Sequence, residues 1–478
     1  MPTAKIVAKN VGSLLFADTL GRVLSFLLFV LIARYLGDVG LGKYSFAFAF
    51  SGLFFIFSDL GVTTLMTREV SRDRQKAQEY LMNLVVLKLF IGSLPLIAST
   101  IAIFFLAEST DVIILVMLSS ITLFLDSFSL IFKNVFSAFE RMEFYSAANV
   151  IERLIAVIIG SILILKGYGL ISLFIVLVIS YSASLGFSMY VVSKKFAKIR
   201  FKMNPKFWQF FVKRSLPFWF TVFFMTIYYK MDVVMLTSMK DYATAGLYSA
   251  AYKIVDAFSF ISFAAVAAIF PTMSHLHLNE KGKLQMLYHR SFYYLFVVGL
   301  PIGIGAVVLA DKIILLIYKE PFLASVPALQ ILIWTEVLLF VNYLMGYLLN
   351  SIDKQRLFTY TAAAAAGGNL LLNFILIPRY SIIGASIATV LTQVISFLFL
   401  YHYCSANGYR VGLKKVIIKP LVAGIAMGIV IYIIRGLNLF IILPIAIATY
   451  ALVLLSIKGI GNEEIDILKQ FIQPFKKP

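Results

Sequence analysis

The chain has 478 residues, of which 61% are hydrophobic and only 14% are charged, a composition that excludes an ordinary soluble globular domain. Its apolar runs do not alternate with polar residues, which excludes a transmembrane β-barrel. The formal net charge of +19 is typical of basic cytoplasmic loops in a membrane protein, so we expect a polytopic helical membrane protein that binds no nucleic acid.

Fourteen apolar segments are long enough to span a bilayer as helices. In chain order they cover 10–36, 43–66, 79–106, 111–138, 143–166, 169–193, 215–240, 244–270, 289–317, 324–350, 356–377, 381–405, 415–436 and 438–457. We number them segments 1 to 14. The first segment is too long and too charged for a secretory signal, so we expect it to remain as a helix. The predicted fold class is all-α, with about fourteen transmembrane helices.

The distribution of Lys and Arg predicts the topology. Lys5 and Lys9 precede segment 1, and most other basic residues follow even-numbered segments. Because basic loops stay in the cytoplasm, we expect both termini inside the cytoplasmic (plasma) membrane.

The longest basic connection divides the chain after segment 6. Its second part places Phe207, Trp208, Phe210 and Phe211 among basic residues, a composition typical of a helix at an anionic membrane surface. We therefore predict an N-lobe over 1–200, a basic interfacial linker helix over 201–214, a C-lobe over 215–408, and segments 13 and 14 with a cytoplasmic tail over 409–478.

Short motifs repeat weakly on either side of this linker. The pairs are Gly42-Lys43-Tyr44-Ser45 with Gly246-Leu247-Tyr248-Ser249, Ala138-Phe139-Glu140-Arg141 with Ser351-Ile352-Asp353-Lys354, and Gly167-Tyr168-Gly169-Leu170 with Arg379-Tyr380-Ser381-Ile382. Segments 1–6 thus match segments 7–12. Because six spans return the chain to the side of the membrane on which it started, the two repeats have the same orientation. A site is then expected between the two six-helix bundles near the midplane.

Several motifs, in order, carry a family resemblance. They are Arg34-Tyr35-Leu36-Gly37, Gly42 and Tyr44, Ser58-Asp59-Leu60-Gly61, Asp232, Gly246 and Tyr248, Ile377-Pro378-Arg379-Tyr380, Gly384-Ala385 and Ala388-Thr389. With these, the whole chain resembles the MATE-like (MOP) exporter superfamily, and within it the polysaccharide-transport flippases. The resemblance implies a V-shaped two-lobed fold, alternating access, and a lipid-linked oligosaccharide substrate with a polyprenyl tail and a pyrophosphate. It also implies a tail groove at segments 13 and 14.

Ionisable residues inside the predicted segments are few. They are Asp18, Arg22, Asp59, Lys88, Asp126, Glu152, Arg153, Lys230, Asp232, Lys253, Asp256 and Glu336. Lipid does not tolerate so many charges, so we expect those near the bilayer centre to line a water-filled cavity between the halves.

Two roles are assigned to these residues. The candidates for holding the pyrophosphate are the cations Arg22, Arg153, Lys88, Lys253 and Lys230, because cations, and arginine above all, bind phosphate oxygens. The candidates for ion coupling or charge pairing are Asp18, Asp59, Asp126, Asp232, Asp256 and Glu336. The residues available to bind sugars are Tyr228, Tyr229, Tyr252, Asn342, Asn369, Asn373 and Gln393, although helix–helix hydrogen bonding is the favoured interpretation for each of them.

An alternative stays open, because most of these cations lie near an acid in sequence. Asp18 is four residues from Arg22, which places both on one helix face, and Glu152 adjoins Arg153. The pairs are then either structural or displaced by substrate, with the freed acid binding H⁺ or Na⁺.

Cofactors and metals are not expected. The single Cys404 excludes a disulfide, the four histidines lack metal-ligand spacing, and no GxxxxGK[ST] stretch is present. Na⁺ or H⁺ is the candidate coupling ion.

Three functions compete. The first is a flippase that translocates a polyprenyl-(pyro)phosphate-linked oligosaccharide to the outer leaflet for glycan assembly. It acts in the bilayer as a monomer, with glycan polymerases or glycosyltransferases as candidate partners. The second is a MATE-type H⁺- or Na⁺-coupled drug exporter. The third is a glycan-transfer enzyme, which the short outer loops disfavour.

Overall fold

The computed structural model describes residues 4–106, 109–198 and 203–459, and every regular element within those residues is helical. The helices are α1 (Ala4–Phe55), α2 (Val62–Arg72), α3 (Ala77–Leu106), α4 (Thr110–Ala138), α5 (Met142–Leu165), α6 (Gly169–Lys195), α7 (Pro205–Met239), α8 (Tyr242–Asn279), α9 (Lys281–Tyr318), α10 (Val326–Ser351), α11 (Gln355–Ala406), α12 (Leu413–Ile433) and α13 (Leu439–Ser456). Short 3₁₀ turns occupy Ile56–Ser58, Arg74–Lys76 and Glu320–Ser325. The predicted all-α fold class is confirmed.

Twelve helical stretches in the described residues are long and apolar enough to cross a membrane. Two of them are broken, since α1 contains Gly37 at φ 69° and α11 contains Ser381 at φ 53°. Both values lie in the left-handed region, which a right-handed helix does not use. Gly37 lies between segments 1 and 2 and Ser381 is the first residue of segment 12, so α1 holds segments 1 and 2 and α11 holds segments 11 and 12.

Large apolar side chains cover the outside of these helices. Phe105 is 82% exposed, Ile433 74% and Ile447 68%. Contiguous apolar surface is unfavourable in water but matches lipid tails. The chain is therefore a multi-pass membrane protein.

Segment 2 ends earlier than its hydropathy predicts. The helix was expected to continue to residue 66, but α1 ends at Phe55 and a 3₁₀ turn follows. Leu60 at φ 47° and Gly61 at φ 76° then reverse the backbone before the short α2 begins. The prediction was wrong because apolar residues continue through a turn that backbone conformation, not hydropathy, interrupts.

The basic linker is not a separate helix, because α7 runs from Pro205 to Met239 without a break. Asn204 caps it by accepting a hydrogen bond from the Phe207 N–H at 3.2 Å. Trp208 Nε1 donates to the Asn83 carbonyl at 3.1 Å, and Phe211 is 2% exposed. Much of the aromatic surface expected at the lipid interface therefore packs against protein.

The chain packs as two compact units. The first comprises Met1–Lys253 with Ala366–Ala385, and the second comprises Ile254–Ala365 with Ser386–Pro478. In the first unit, buried residues of α2, α3 and α4 form an apolar core. In the second, buried residues of α9 and α10 form another. The predicted lobes, 1–200 and 215–408, describe the sequence repeat and stay a prediction.

The backbone supports the repeat that the short motifs suggested. Glu140 and its counterpart Asp353 both adopt left-handed conformations, at φ 58° and 60°. Gly169 and its counterpart Ser381 do so at φ 74° and 53°. Matched residues with the same uncommon conformation indicate that the two halves share local turn geometry.

The two copies of the glycine-tyrosine motif meet within the first unit. A Cβ on Gly42 would lie 1.7 Å from the Tyr242 carbonyl oxygen, and a Cβ on Gly246 would lie 2.0 Å from the Asp38 carbonyl oxygen. Backbone atoms occupy the space that any side chain would need. Glycine at both positions is therefore required for this crossing of α1 and α8.

Candidate substrate-binding site

A chain of charged side chains links α4 to α5 inside the first unit. Lys133 Nζ lies 3.8 Å from Asp126 Oδ1 and 3.3 Å from Glu152 Oε2, while Glu152 Oε1 lies 3.6 Å from Arg153 Nε. We call these four residues the α4–α5 ion network. Glu152 and Arg153 lie at the middle of α5 and Asp126 lies near the middle of α4, and both helices are long and apolar enough to span a membrane, so these three charges are near mid-depth.

The two central residues of the network are buried, and the residues at its two ends are partly exposed. The side chains of Lys133 and Glu152 are each 4% exposed, whereas those of Arg153 and Asp126 are 41% and 47% exposed. An exposed charge at this depth cannot face lipid without a large penalty. The open ends of the network are therefore accessible to water or to a charged ligand.

Arg153 lies against the first part of α1. Its Nη1 donates to Ser25 Oγ at 3.0 Å, and its Cγ would lie 3.7 Å from a Cβ on Gly21. On the same helix, Arg22 Nε donates to Asp18 Oδ2 at 3.0 Å, and both side chains are nearly half exposed. The structure thus brings α1 and α5, which carry the two predicted arginines, together in one unit.

Lys133 is a member of the network that the sequence analysis missed. It lies near the end of a predicted segment, where a lysine is ordinarily taken to reach the membrane surface. Its spacing of seven residues from Asp126 places both on one helix face, and that was the signal that could have revealed it.

We expect Lys133→Met to destabilise the fold. The substitution leaves the buried Glu152 without its nearest cation. Removing one partner of a buried ion pair lowers the free energy of unfolding by about 3–5 kcal/mol. Thermal unfolding of the purified protein in detergent measures the loss. The matched control is the double variant Lys133→Met/Glu152→Leu, which removes both charges and should recover much of the stability. A Lys133→Met protein that melts like the wild type would contradict a structural role for the pair.

Lys88 forms a separate pair. Its Nζ lies 2.6 Å from Asp59 Oδ1, its side chain is 1% exposed, and Thr63 Oγ1 donates to the same carboxylate at 2.8 Å. This bonding secures the turn between α1 and α2. A phosphate could reach Lys88 only by displacing Asp59.

The cations of α7 and α8 in the first unit pack against α1. Lys230 lies along Gly52, where a Cβ would be 3.7 Å from Lys230 Cε. Lys253 Nζ lies 5.7 Å from the centre of the Phe29 ring, a cation–π distance. Lys230 and Lys253 are therefore close to α1, the helix that also contacts Arg153.

Asp232 is the centre of a polar cluster that we call the Asp232 cluster, with Tyr248, Asn369 and Asn373. Asp232 is 3% exposed and accepts hydrogen bonds from Tyr248 Oη and Asn373 Nδ2, both at 2.6 Å. Asn373 Nδ2 also donates to Asn369 Oδ1 at 2.9 Å. The Asn373 Oδ1 atom is buried with no hydrogen-bond partner among the described residues. The repeated tyrosine of the sequence motif thus fixes a buried acid.

The second unit contains the remaining predicted acids. Glu336 is 2% exposed, accepts a hydrogen bond from Ser262 Oγ at 3.4 Å, and has no ion pair among the described residues. Asp256, on α8, is partly exposed and acts electrostatically on Glu336. Nearby in sequence, Asn342 Nδ2 donates to Gln393 Oε1 at 2.8 Å, a helix–helix bond rather than a free sugar-binding group.

The part of the chain that the structure describes holds no group of three or more His, Cys, Asp or Glu side chains able to bind a metal ion. His289 Nε2 instead lies 2.9 Å from the Arg410 carbonyl oxygen. Na⁺ binds to oxygen atoms of any kind, so this finding leaves the coupling ion open.

Long apolar helices with charged side chains near their middles are typical of membrane transporters. A family model described as "Polysaccharide biosynthesis protein" matches residues 7–277, more than half of the chain. The chain belongs to that family. A second model, MatE, matches residues 217–375.

Relatives and solved structures agree with this assignment. The chain is 24% identical over 407 residues to the probable low-salt glycan biosynthesis flippase Agl15 of Haloferax volcanii, covering 84% of each protein. Its fold matches lipid II flippase MurJ in an inward closed conformation with a TM-score of 0.78 at 18% identity, covering 94% of this chain and 98% of that one. An inward-facing multidrug resistance MATE transporter of the MOP superfamily matches with a TM-score of 0.65 at 16% identity, covering 80% and 95%. The predicted MOP membership is confirmed.

Proposed function

We propose that this protein is a flippase that moves a polyprenyl-diphosphate-linked oligosaccharide from the cytoplasmic to the outer leaflet by alternating access. The observation that carries the proposal is Arg153, an arginine half open at mid-depth in a member of the polysaccharide biosynthesis family. Agl15 is named a probable low-salt glycan biosynthesis flippase, which supports the proposal. The proposal gives the chain no covalent step.

Arg153 is suited to a diphosphate. A guanidinium presents a planar fork of donors that matches two phosphate oxygens. Ser25 accepts a hydrogen bond from Nη1 and Glu152 pairs with Nε, while Nη2, which belongs to both two-donor edges of the group, has no hydrogen-bond partner among the described residues. The headgroup would complete the coordination of Arg153, and Arg22, one residue beyond Gly21, would supply the second cation.

The membrane potential favours export. Moving two negative charges from a negative interior to the outside gains roughly 4.6 kcal/mol per 100 mV. The lysine and arginine distribution supports a plasma-membrane protein with both termini in the cytoplasm, so the headgroup would enter from the negative side. Export then needs no nucleotide hydrolysis by this chain.

The proposal is tested in proteoliposomes that contain a fluorescent polyprenyl-diphosphate sugar. If a membrane-impermeant quencher removes more fluorescence in the presence of the protein, the result supports the proposal. Identical quenching in protein-free liposomes would refute it. The MatE match over residues 217–375 favours a second candidate, a MATE-type small-molecule exporter. Efflux of a lipophilic cationic dye without movement of the lipid would favour that alternative.

We also propose that the Asp232 cluster binds the coupling ion. A buried carboxylate, two amide oxygens and a phenol oxygen supply hard oxygen ligands, and Asn373 Oδ1 is available for one. Na⁺ is therefore the candidate at this position, and a proton on Asp232 is the competing occupant.

We expect Asp232→Asn to remove the ion dependence of translocation, because the variant keeps the shape but loses the charge. Quenching rates in Na⁺ and in choline, each at two pH values, measure this. Asp311→Asn is the control, since Asp311 pairs with Arg435 at 2.8 Å outside the cluster. If wild-type and Asp232→Asn proteins respond alike to Na⁺ and to pH, the cluster does not couple an ion.

We propose a monomer that receives the lipid from glycosyltransferases and delivers it to a glycan polymerase or transferase on the other side. Light scattering of the detergent-solubilised protein tests the first part.

A further inference from the structure

A cleft of about 540 Å³ opens in the second unit where α10 turns into α11. Six of its seven lining residues have polar or charged side chains, namely Asp353, Lys354, Gln355, Arg356, Tyr360 and Asn407. The Lys and Arg distribution assigns this turn to the cytoplasmic surface. The cleft is therefore separate from the α4–α5 ion network, which belongs to the first unit.

The two cations of the cleft have no acidic partner among the described residues. Neither Lys354 nor Arg356 forms an ion pair within residues 4–106, 109–198 and 203–459. Lys354 is the N-cap of α11, no side chain caps its first N–H groups, and no acid lies in its first turn. The N-terminal end of a helix is its positive end, so two cations there are electrostatically unfavourable.

The matching turn in the first half has acidic side chains at the positive end of its helix. When Glu140 is aligned with Asp353, Arg356 is the counterpart of Glu143, which lies in the first turn of α5. Glu143 accepts a hydrogen bond from Arg141 Nε at 2.6 Å. Glu140 lies 3.8 Å from Arg74. The turn before α5 thus carries acidic side chains that pair with cations. The turn before α11 has a matching left-handed residue but a net positive charge, and the cleft opens beside it.

We propose that this cleft binds a phosphate-bearing anion. Lys354 and Arg356 would neutralise the phosphate, the first backbone N–H groups of α11 would donate to it, and Tyr360 and Asn407, which also line the cleft, would add side-chain donors. Asp353 reduces the net charge of the lining to +1. Because this charge does not fully neutralise a phosphate, the bound group would keep one oxygen toward water. An anionic lipid headgroup and a soluble phosphate share this chemistry, and the site does not depend on the proposed transport function.

Binding to the full-length protein tests the proposal, with Arg153→Gln as the background so that the candidate substrate site does not contribute. In phosphatidylcholine nanodiscs, inorganic pyrophosphate is titrated calorimetrically. In a second arm, phosphatidylglycerol is added to the nanodiscs and retained lipid is counted by native mass spectrometry. Pyrophosphate binding indicates a soluble ligand, and retained phosphatidylglycerol without pyrophosphate binding indicates a headgroup.

The decisive variant is Lys354→Gln/Arg356→Gln. We expect it to weaken binding in the responding arm at least about tenfold, since it removes both charge-assisted partners. The matched control is Lys194→Gln/Lys281→Gln, which removes two cations from other basic connections and should bind like its parent. Equal binding by the two double variants, or no binding in either arm, would overturn the proposal.

A charge reversal gives an independent readout. Arg356→Glu restores the acid found in the first half, so it should raise the melting temperature without ligand and abolish the rise caused by pyrophosphate or phosphatidylglycerol. A variant that melts below the wild type and still gains stability from either ligand would contradict the proposed role of Arg356.

Discussion

Arg153→Gln should slow translocation of a diphosphate-linked lipid by about 10- to 100-fold, the factor that corresponds to a lost charge-assisted hydrogen-bond pair. Glutamine keeps a polar group near Ser25 but has neither the charge nor the fork of the guanidinium. Because the Arg153 side chain is 41% exposed, the variant should still fold. The quenching assay in proteoliposomes measures the rate, and thermal unfolding confirms that the protein is intact.

Two further variants separate charge from geometry. Arg153→Lys keeps the charge without the bidentate fork, so its rate should lie between those of the wild type and Arg153→Gln. Lys194→Gln removes an exposed cation outside the network and should leave the rate unchanged. A folded Arg153→Gln protein that moves the lipid at the wild-type rate would remove Arg153 from the substrate site.

Gly246→Ala should prevent the first unit from folding. The added Cβ would lie 2.0 Å from the Asp38 carbonyl oxygen and 2.9 Å from the Gly42 backbone nitrogen, closer than non-bonded atoms approach. Both neighbours are backbone atoms, so no side chain can rotate away. Overpacking against backbone at a helix crossing belongs to the small class of substitutions that cost more than about 4 kcal/mol. Yield and melting temperature of the purified protein measure the effect.

The control for this variant is Gly186→Ala on α6. No atom lies within 4 Å of a Cβ built on Gly186, and alanine is the better helix former by about 1 kcal/mol. Gly186→Ala should therefore fold normally. If Gly246→Ala folds equally well, α1 and α8 do not cross at these glycines with the closeness described.

The helical spans could be predicted from sequence because a membrane imposes a length and an apolar composition on each one. Hydropathy failed at the Leu60–Gly61 turn, where apolar residues continue but the backbone reverses. The aromatic and basic composition of the linker predicted that side chains such as Phe207, Trp208 and Phe211 would lie at the membrane surface. Hydropathy does not distinguish lipid from the interior of the protein, and these side chains pack mainly on protein.

The candidate site was only partly accessible to sequence reasoning. Arg22 and Arg153 were recognised because a charge in an apolar segment is costly and therefore conspicuous. The contact of Arg153 with Ser25 on α1 depends on long-range packing that no local pattern encodes. Lys133 lay too close to a segment end to stand out, although its separation from Asp126 by two helical turns carried the information.

The most direct test of the central claim is the affinity of the protein for the headgroup itself. Binding of a short-chain polyprenyl-diphosphate sugar to nanodisc-embedded wild type, Arg153→Gln and Arg22→Gln can be measured at equilibrium. The account predicts that each substitution weakens binding at least about tenfold. It also predicts that the same lipid without its diphosphate binds weakly to all three proteins. Equal affinity of the three proteins for the diphosphate lipid would contradict a substrate site at these arginines.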